Sequence, residues 1–99
     1  MTTSIAIDGE LTVFTAHEIK TRLLQAMASK STLRVNLGEV TEFDGAGLQL
    51  LLAAKHEATQ RTSQLVLTSL PTQIQSVLQL TGLLGHFDIS PSDTQEVTP

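Results

Sequence analysis

The thirteen residues Val40-Thr-Glu-Phe-Asp-Gly-Ala-Gly-Leu-Gln-Leu-Leu-Leu52 pass from strand to helix within a single turn. Val40 and its successors read as a strand exit, Asp44-Gly45-Ala46-Gly47 as the turn, and Leu48 onward as an apolar helix that starts at once. Backbone N–H groups at such a helix start have no intrahelical acceptor, so they favour negative charge and close approach by a partner. Asp44 has two readings. It caps the helix, because its carboxylate suits the free N–H groups and the positive end of the dipole, or it docks a partner. Gly45 and Gly47 either mark a contact surface or simply permit the tight turn. Turn geometry alone accounts for Gly47 and leaves Gly45 the more telling of the two. The Gly-x-Gly pair has no Lys-Ser/Thr after it, so it does not complete a phosphate loop.

Outward from this turn the chain alternates strand and helix. Upstream, Leu33, Val35 and Leu37 alternate as a half-buried strand does. Before that, Thr15-Ala-His-Glu18 has capping-box spacing and predicts a helix with Ile19, Leu23, Ala26 and Met27 inward and Lys20, Arg22 and Gln25 outward. Ile5 and Ile7 bracket a first strand ending at Asp8-Gly9, with Leu11 and Val13 continuing extended. Downstream, the helix of the glycine turn reaches about Thr59, burying Leu48, Leu51, Leu52 and Ala58, with the Lys55 stem beside them. Leu65-Val-Leu67 is a further strand. Ser69-Leu-Pro71 starts another helix with proline in its first turn, Ile74, Val77 and Leu78 inside and Gly82 at its C-terminal end. Phe87 and Ile89 predict a last short strand. Residues 91–99 turn polar, carry two prolines and read as a tail. The expected architecture is one α/β domain over residues 1–90, a small mixed sheet with parallel central strands and helices packed on it.

Composition narrows the function. Ninety-nine residues with 40% hydrophobic and 16% charged content fit one soluble globular unit. No apolar run approaches the ~20 residues of a membrane span and no leader pattern precedes the first strand, so a cytoplasmic location is expected. There is no cysteine, hence no disulfide framework and no zinc–thiolate site. A net charge of −4, scattered Lys and Arg, and three phenylalanines as the whole aromatic content argue against nucleic acid. His17, His56 and His86 show no metal-ligand spacing. Glu39 and Glu42 read as a solvated acidic rim in preference to paired catalytic carboxylates, and no nucleophile elbow occurs. No enzyme chemistry, metal or cofactor is expected.

With these elements placed, a family resemblance emerges. Gly9-Glu-Leu11, Thr15-Ala16, Val35-Asn-Leu37, Val40-x-x-Phe-Asp44-x-Ala-Gly-Leu48 and Thr81-Gly-Leu83 fall in the order and spacing of STAS domains, the anti-sigma-factor antagonists and their relatives. The resemblance covers residues 4–89 and is most specific at the Asp-x-Ala-Gly-Leu turn. Against the family pattern, the sequence starts close to the glycine strand, and the extra N-terminal edge strand of many antagonists is not expected in it. In phosphorylated members, the residue after that aspartate is the serine or threonine modified by a partner kinase. Adding about −1.5 to −2 charge there switches binding off. The equivalent position is Gly45, which has no hydroxyl, so that switch is lost; Thr41 is one nearby hydroxyl that remains. The segment from Val40 to Lys55 also resembles small stand-alone STAS proteins associated with bacterial chemotaxis and flagellar genes.

The resemblance implies a monomeric, non-catalytic protein-interaction module in bacterial signalling. Its partner would be an anti-sigma factor or serine-kinase-like ATPase, or a chemotaxis component. Its surface would comprise Thr41, Glu42, Asp44, Gly45, Ala46, Gly47 and Gln49, with Lys55 or His56 at the margin. Alternatives are an accessory STAS subunit of an ABC-type phospholipid transporter and a nucleotide or small-ligand sensor.

Overall fold

A computed structural model describes residues 1–90; the polar tail read at 91–99 lies outside the described residues. Strand β1 (Thr2–Leu11) leads to helix α1 (Ala16–Ala26), β2 (Thr32–Phe43), α2 (Gly45–Gln60), β3 (Gln64–Thr68), α3 (Thr72–Leu80), a 3₁₀ turn (Leu84–His86) and β4 (Asp88–Ser90). The alternation gives the α/β fold expected. The sheet runs β1-β2-β3-β4 in sequence order, and all its described pairings are parallel. Parallel pairing brings the C-terminal ends of the strands to one edge of the molecule, where open α/β sheets place their ligands.

One face of the sheet builds the core. Leu33 pairs with Leu65, and Val35 sits between Ile5 and Leu67. Ile7, Leu11, Leu33, Val35, Leu37, Leu65 and Leu67 are buried together with Ile19 and Leu23 of α1, Leu50, Leu51, Ala54 and Ala58 of α2, and Ile74 and Leu78 of α3. Alternate residues on β2 (Thr32, Arg34 and Asn36) are half-buried, as the period of two requires. Two register shifts separate β1 from β2, between Ala6 and Asp8 and between Gly9 and Glu10. Gly9 takes φ +78° at this irregularity, a conformation that favours glycine.

Several expectations are corrected. Val13 does not continue the first strand; it lies in the β1–α1 loop and is 64% exposed. The Thr15–Glu18 capping box does not form. The Thr15 hydroxyl turns back to the strand end, donating to the Glu10 carbonyl at 2.9 Å and accepting from Thr12 N at 3.1 Å. On α2 the buried face is Leu50, Leu51, Ala54 and Ala58, whereas Leu48 and Leu52 are only partly buried. Val77 on α3 is likewise only half-buried. Pro71 is the N-cap of α3, one residue ahead of the first turn.

Helix ends show how local chemistry matches or resists its position. At the end of α3, Leu83 N donates to Leu78 O at 2.8 Å and Gly82 N to Gln79 O at 3.1 Å, the paired bonds of a Schellman motif. Gly82 supplies the required φ of +74°. The end of α2 repeats the motif, with Ser63 N to Ala58 O at 2.7 Å and Thr62 N to Thr59 O at 3.1 Å. Here the left-handed position falls on Thr62 at φ +55°, which a β-branched residue tolerates poorly. Thr62→Gly is therefore expected to stabilise the fold by about 1 kcal/mol, read as a higher denaturant midpoint at unchanged slope. Arg61 ties the same corner to α1, donating to the carbonyls of Leu24 at 3.0 Å and Met27 at 2.6 Å and pairing with Glu57 at 2.9 Å.

Candidate functional site

Leu11 pairs with Phe43 at the ends of β1 and β2, so the β1–α1 loop and the glycine turn lie side by side. Asp44 joins them. One carboxylate oxygen accepts from Gly47 N at 3.1 Å and caps α2; the other accepts from Val13 N at 3.1 Å in the loop. The capping reading of Asp44 thus holds, and the side chain also clamps a segment distant in sequence. The Val13 N–H is the main cause holding the Asp44 carboxyl below its ordinary value; desolvation opposes it, and the Gly47 and Ala46 N–H groups add smaller contributions in the same direction as Val13.

The two glycines of the turn differ in kind. Gly47 is buried, and a Cβ added there would fall on the Leu11 carbonyl oxygen, nearer than real Cβ atoms come, with the Phe43 ring 3.0 Å away. Its missing side chain lets α2 seat against the end of β1. Gly45 is exposed, has nothing within 4 Å of an added Cβ, and is not in the left-handed region. Neither space nor backbone conformation demands glycine at position 45. It is the first residue of α2, where its backbone N–H belongs to the unbonded set of a helix start.

Two depressions flank Asp44–Ala46. One, of about 360 Å³, lies between α1 and α2 and is lined by Ala16, His17 and Lys20 of the first and Ala46, Gln49, Leu50 and Ala53 of the second. The other, of about 260 Å³, is lined by Glu10, Thr12 and Phe14 and by Glu42, Phe43, Asp44 and Gln73. The structure thus gathers Glu42, Asp44, Ala46 and Gln49 of the expected surface around position 45. Thr41 falls at the second register shift, exposed and without a Cα partner on β1. Glu39 and Glu42 are both exposed, as a solvated rim requires. Lys55 and His56 line neither depression.

Sequence reading missed Val13 and Phe14, which are 64% and 89% exposed beside the turn. The signal available was the position of two apolar residues in a loop between strand and helix, where nothing in the pattern gives them a buried face. Among the described residues no helix is long and apolar enough to cross a membrane, and no group of three or more His, Asp or Glu is arranged to hold a metal ion.

A parallel four-stranded sheet covered by helices, with a glycine turn opening the second helix, is the arrangement of a STAS domain. The family model described as Mlab, STAS domain matches residues 1–89, and the chain belongs to the STAS domain family. It is similar to the anti-sigma-B factor antagonist of Listeria monocytogenes, 32% identical over 86 residues that cover 86% of this chain and 75% of that protein. In fold it resembles the crystal structure of a putative anti-sigma factor antagonist from Thermotoga maritima, with TM-score 0.79 at 19% identity over 92% of this chain and 81% of that one. It also resembles the STAS domain of a SulP transporter from Vibrio cholerae, with TM-score 0.72 at 15% identity over 93% and 74% of the two chains.

Proposed function

We propose that this protein is an antagonist-like interaction module of bacterial signalling that lacks a phosphorylation switch at position 45. It works by binding, in the cytoplasm, through the surface around Asp44, Gly45, Ala46 and Gln49, with Thr41 and Glu42 at its edge. Its partner is an anti-sigma factor or serine-kinase-like ATPase, or a chemotaxis component of comparable role. The observation that carries the reading is the open space around Gly45, at the start of α2 and beside the Asp44 clamp. A side chain fits there without strain, so shape does not require glycine at this position, which supports a role in contact. Similarity to the Listeria antagonist supports the antagonist class.

Physical chemistry defines the test. An aspartate at residue 45 introduces negative charge where a phosphoryl group would stand. The helix dipole favours that charge, so the variant keeps its fold. Gly45→Asp should therefore lose its partner by steric occlusion and the cost of desolvating the new carboxylate at the contact and not by unfolding, with affinity falling about tenfold or more. Affinity capture from native lysate, comparing wild type, Gly45→Ala and Gly45→Asp, reads this directly. Loss of one specific protein with Gly45→Asp alone, with the melting temperature unchanged, is the expected result. Equal capture by all three forms would remove position 45 from the interface. Capture of the nucleotide-binding subunit of a membrane transporter would move the protein to the accessory-subunit branch.

A further inference from the structure

The β1–α1 loop exposes its apolar residues while its backbone is fixed. Phe14, one of three phenylalanines in the chain, is 89% exposed, and Val13 beside it 64%. Thr12 N donates to the Thr15 hydroxyl at 3.1 Å, Thr15 donates to the Glu10 carbonyl at 2.9 Å, and Phe14 N donates to the Thr12 hydroxyl at 3.3 Å. Val13 N donates to the Asp44 carboxylate at 3.1 Å. A loop so tied holds Phe14 outward with little ordering left to lose on binding, the property that makes an aromatic residue an anchor.

The surroundings of Phe14 choose the occupant. It borders the cleft of about 260 Å³ whose other walls include Glu10, Glu42, Phe43, Asp44 and Gln73. That volume lies below the ~300–1,000 Å³ of small-molecule sites, so it suits a side chain and not a cofactor. No cationic residue lines it. The Asp44 oxygens are taken by backbone N–H groups, and Glu10 accepts from the Thr12 hydroxyl at 3.0 Å. Glu42 is exposed, and its carboxylate makes no hydrogen bond or ion pair among the described residues. An arginine satisfies both features at once: its guanidinium lies on an aromatic face and presents paired donors to a carboxylate.

We infer that Phe14 anchors a docking surface for a basic segment of a protein partner, with an arginine side chain of that segment lying in the cleft between Phe14 and Phe43 and pairing with Glu42. The inference rests on the binding role proposed above and names the chemistry of the partner at that same surface.

A library of random peptides displayed on phage, selected on the full-length protein, supplies the probe. Selected peptides are resynthesised and titrated by fluorescence polarisation against wild type, Phe14→Ser, Glu42→Gln and Gly45→Asp. The expected result is enrichment of arginine-bearing peptides whose Kd rises about tenfold or more with Phe14→Ser, rises with Glu42→Gln, and weakens with added salt. Phe14 is too exposed for its loss to disturb the core, and matching thermal melts confirm this. Absence of enrichment, enrichment of neutral or acidic peptides, or binding indifferent to Phe14→Ser would each overturn the inference. Peptides sensitive to Gly45→Asp but indifferent to Phe14→Ser would overturn the anchor alone and leave the binding role standing. Failure of that role is read separately, as equal capture from lysate by wild type and Gly45→Asp.

Discussion

Gly47→Ala should destabilise the protein by about 3 kcal/mol or more, at the upper end of overpacking costs, because the new methyl has nowhere to go. On one side is the Leu11 carbonyl oxygen and on the other the Phe43 ring. A flexible side-chain tip would yield; a backbone carbonyl at the end of a paired strand will not. Relief requires α2 to lift from the sheet, which would pull Gly47 N from the Asp44 carboxylate and disturb the Leu11–Phe43 pairing. For a domain of this size the melting temperature should fall by about 12–24 °C. Gly45→Ala is the control two residues away. Its methyl enters open space, and the unfolded chain loses freedom, so stability should rise by about 0.4–1 kcal/mol. Equal effects from the two substitutions would show that close packing at Gly47 does not hold α2 in place.

This contrast also measures how much the sequence discloses. The glycine turn, the alternating Leu33, Val35 and Leu37, and the Gly82 helix end are local patterns, each governed by residues a few positions apart. They are legible because the physics is local. The difference between Gly45 and Gly47 is not. It depends on the end of β1, more than thirty positions upstream, arriving against one glycine and not the other. The Asp44 clamp has the same character: its cap on Gly47 follows from the sequence, and its bond to Val13, 31 residues away, follows only from the fold.

Other departures come from patterns with more than one solution. Thr15 and Glu18 have the spacing of a capping box, yet the Thr15 hydroxyl found the Glu10 carbonyl and Thr12 N instead. A hydroxyl serves either site, and spacing alone does not rank them. Register shifts between β1 and β2 leave no mark on alternation until the partner strand is known. Phe14 belongs to no apolar period in the sequence, and the tight turn that begins at Thr12 holds it outward. The Val13, Phe14 and Thr15 departures lie together where the β1–α1 loop meets the glycine turn, which is also the candidate site.

Leu51→Ala should cost about 2–5 kcal/mol, since the side chain is fully buried and its removal leaves a cavity beneath the middle of α2. Leu48→Ala is the matching control on the same helix. Nearly every residue from Gly45 to Ala54 is apolar or small, so the sequence allows more than one phase for the buried face. Leu48 looks as suitable for the core as Leu50, but it is only partly buried, while Leu50 is 4% exposed. Leu48→Ala should consequently cost about 1 kcal/mol. Comparable losses at 48 and 51 in denaturant titrations would mean the helix is rotated from the orientation described. That rotation matters for function, because the phase of α2 decides whether Gln49 faces the groove shared with His17 and Lys20. With the phase correct, Leu51→Ala should lower stability without changing which partner is captured, separating the helix as support from its N-terminus as contact.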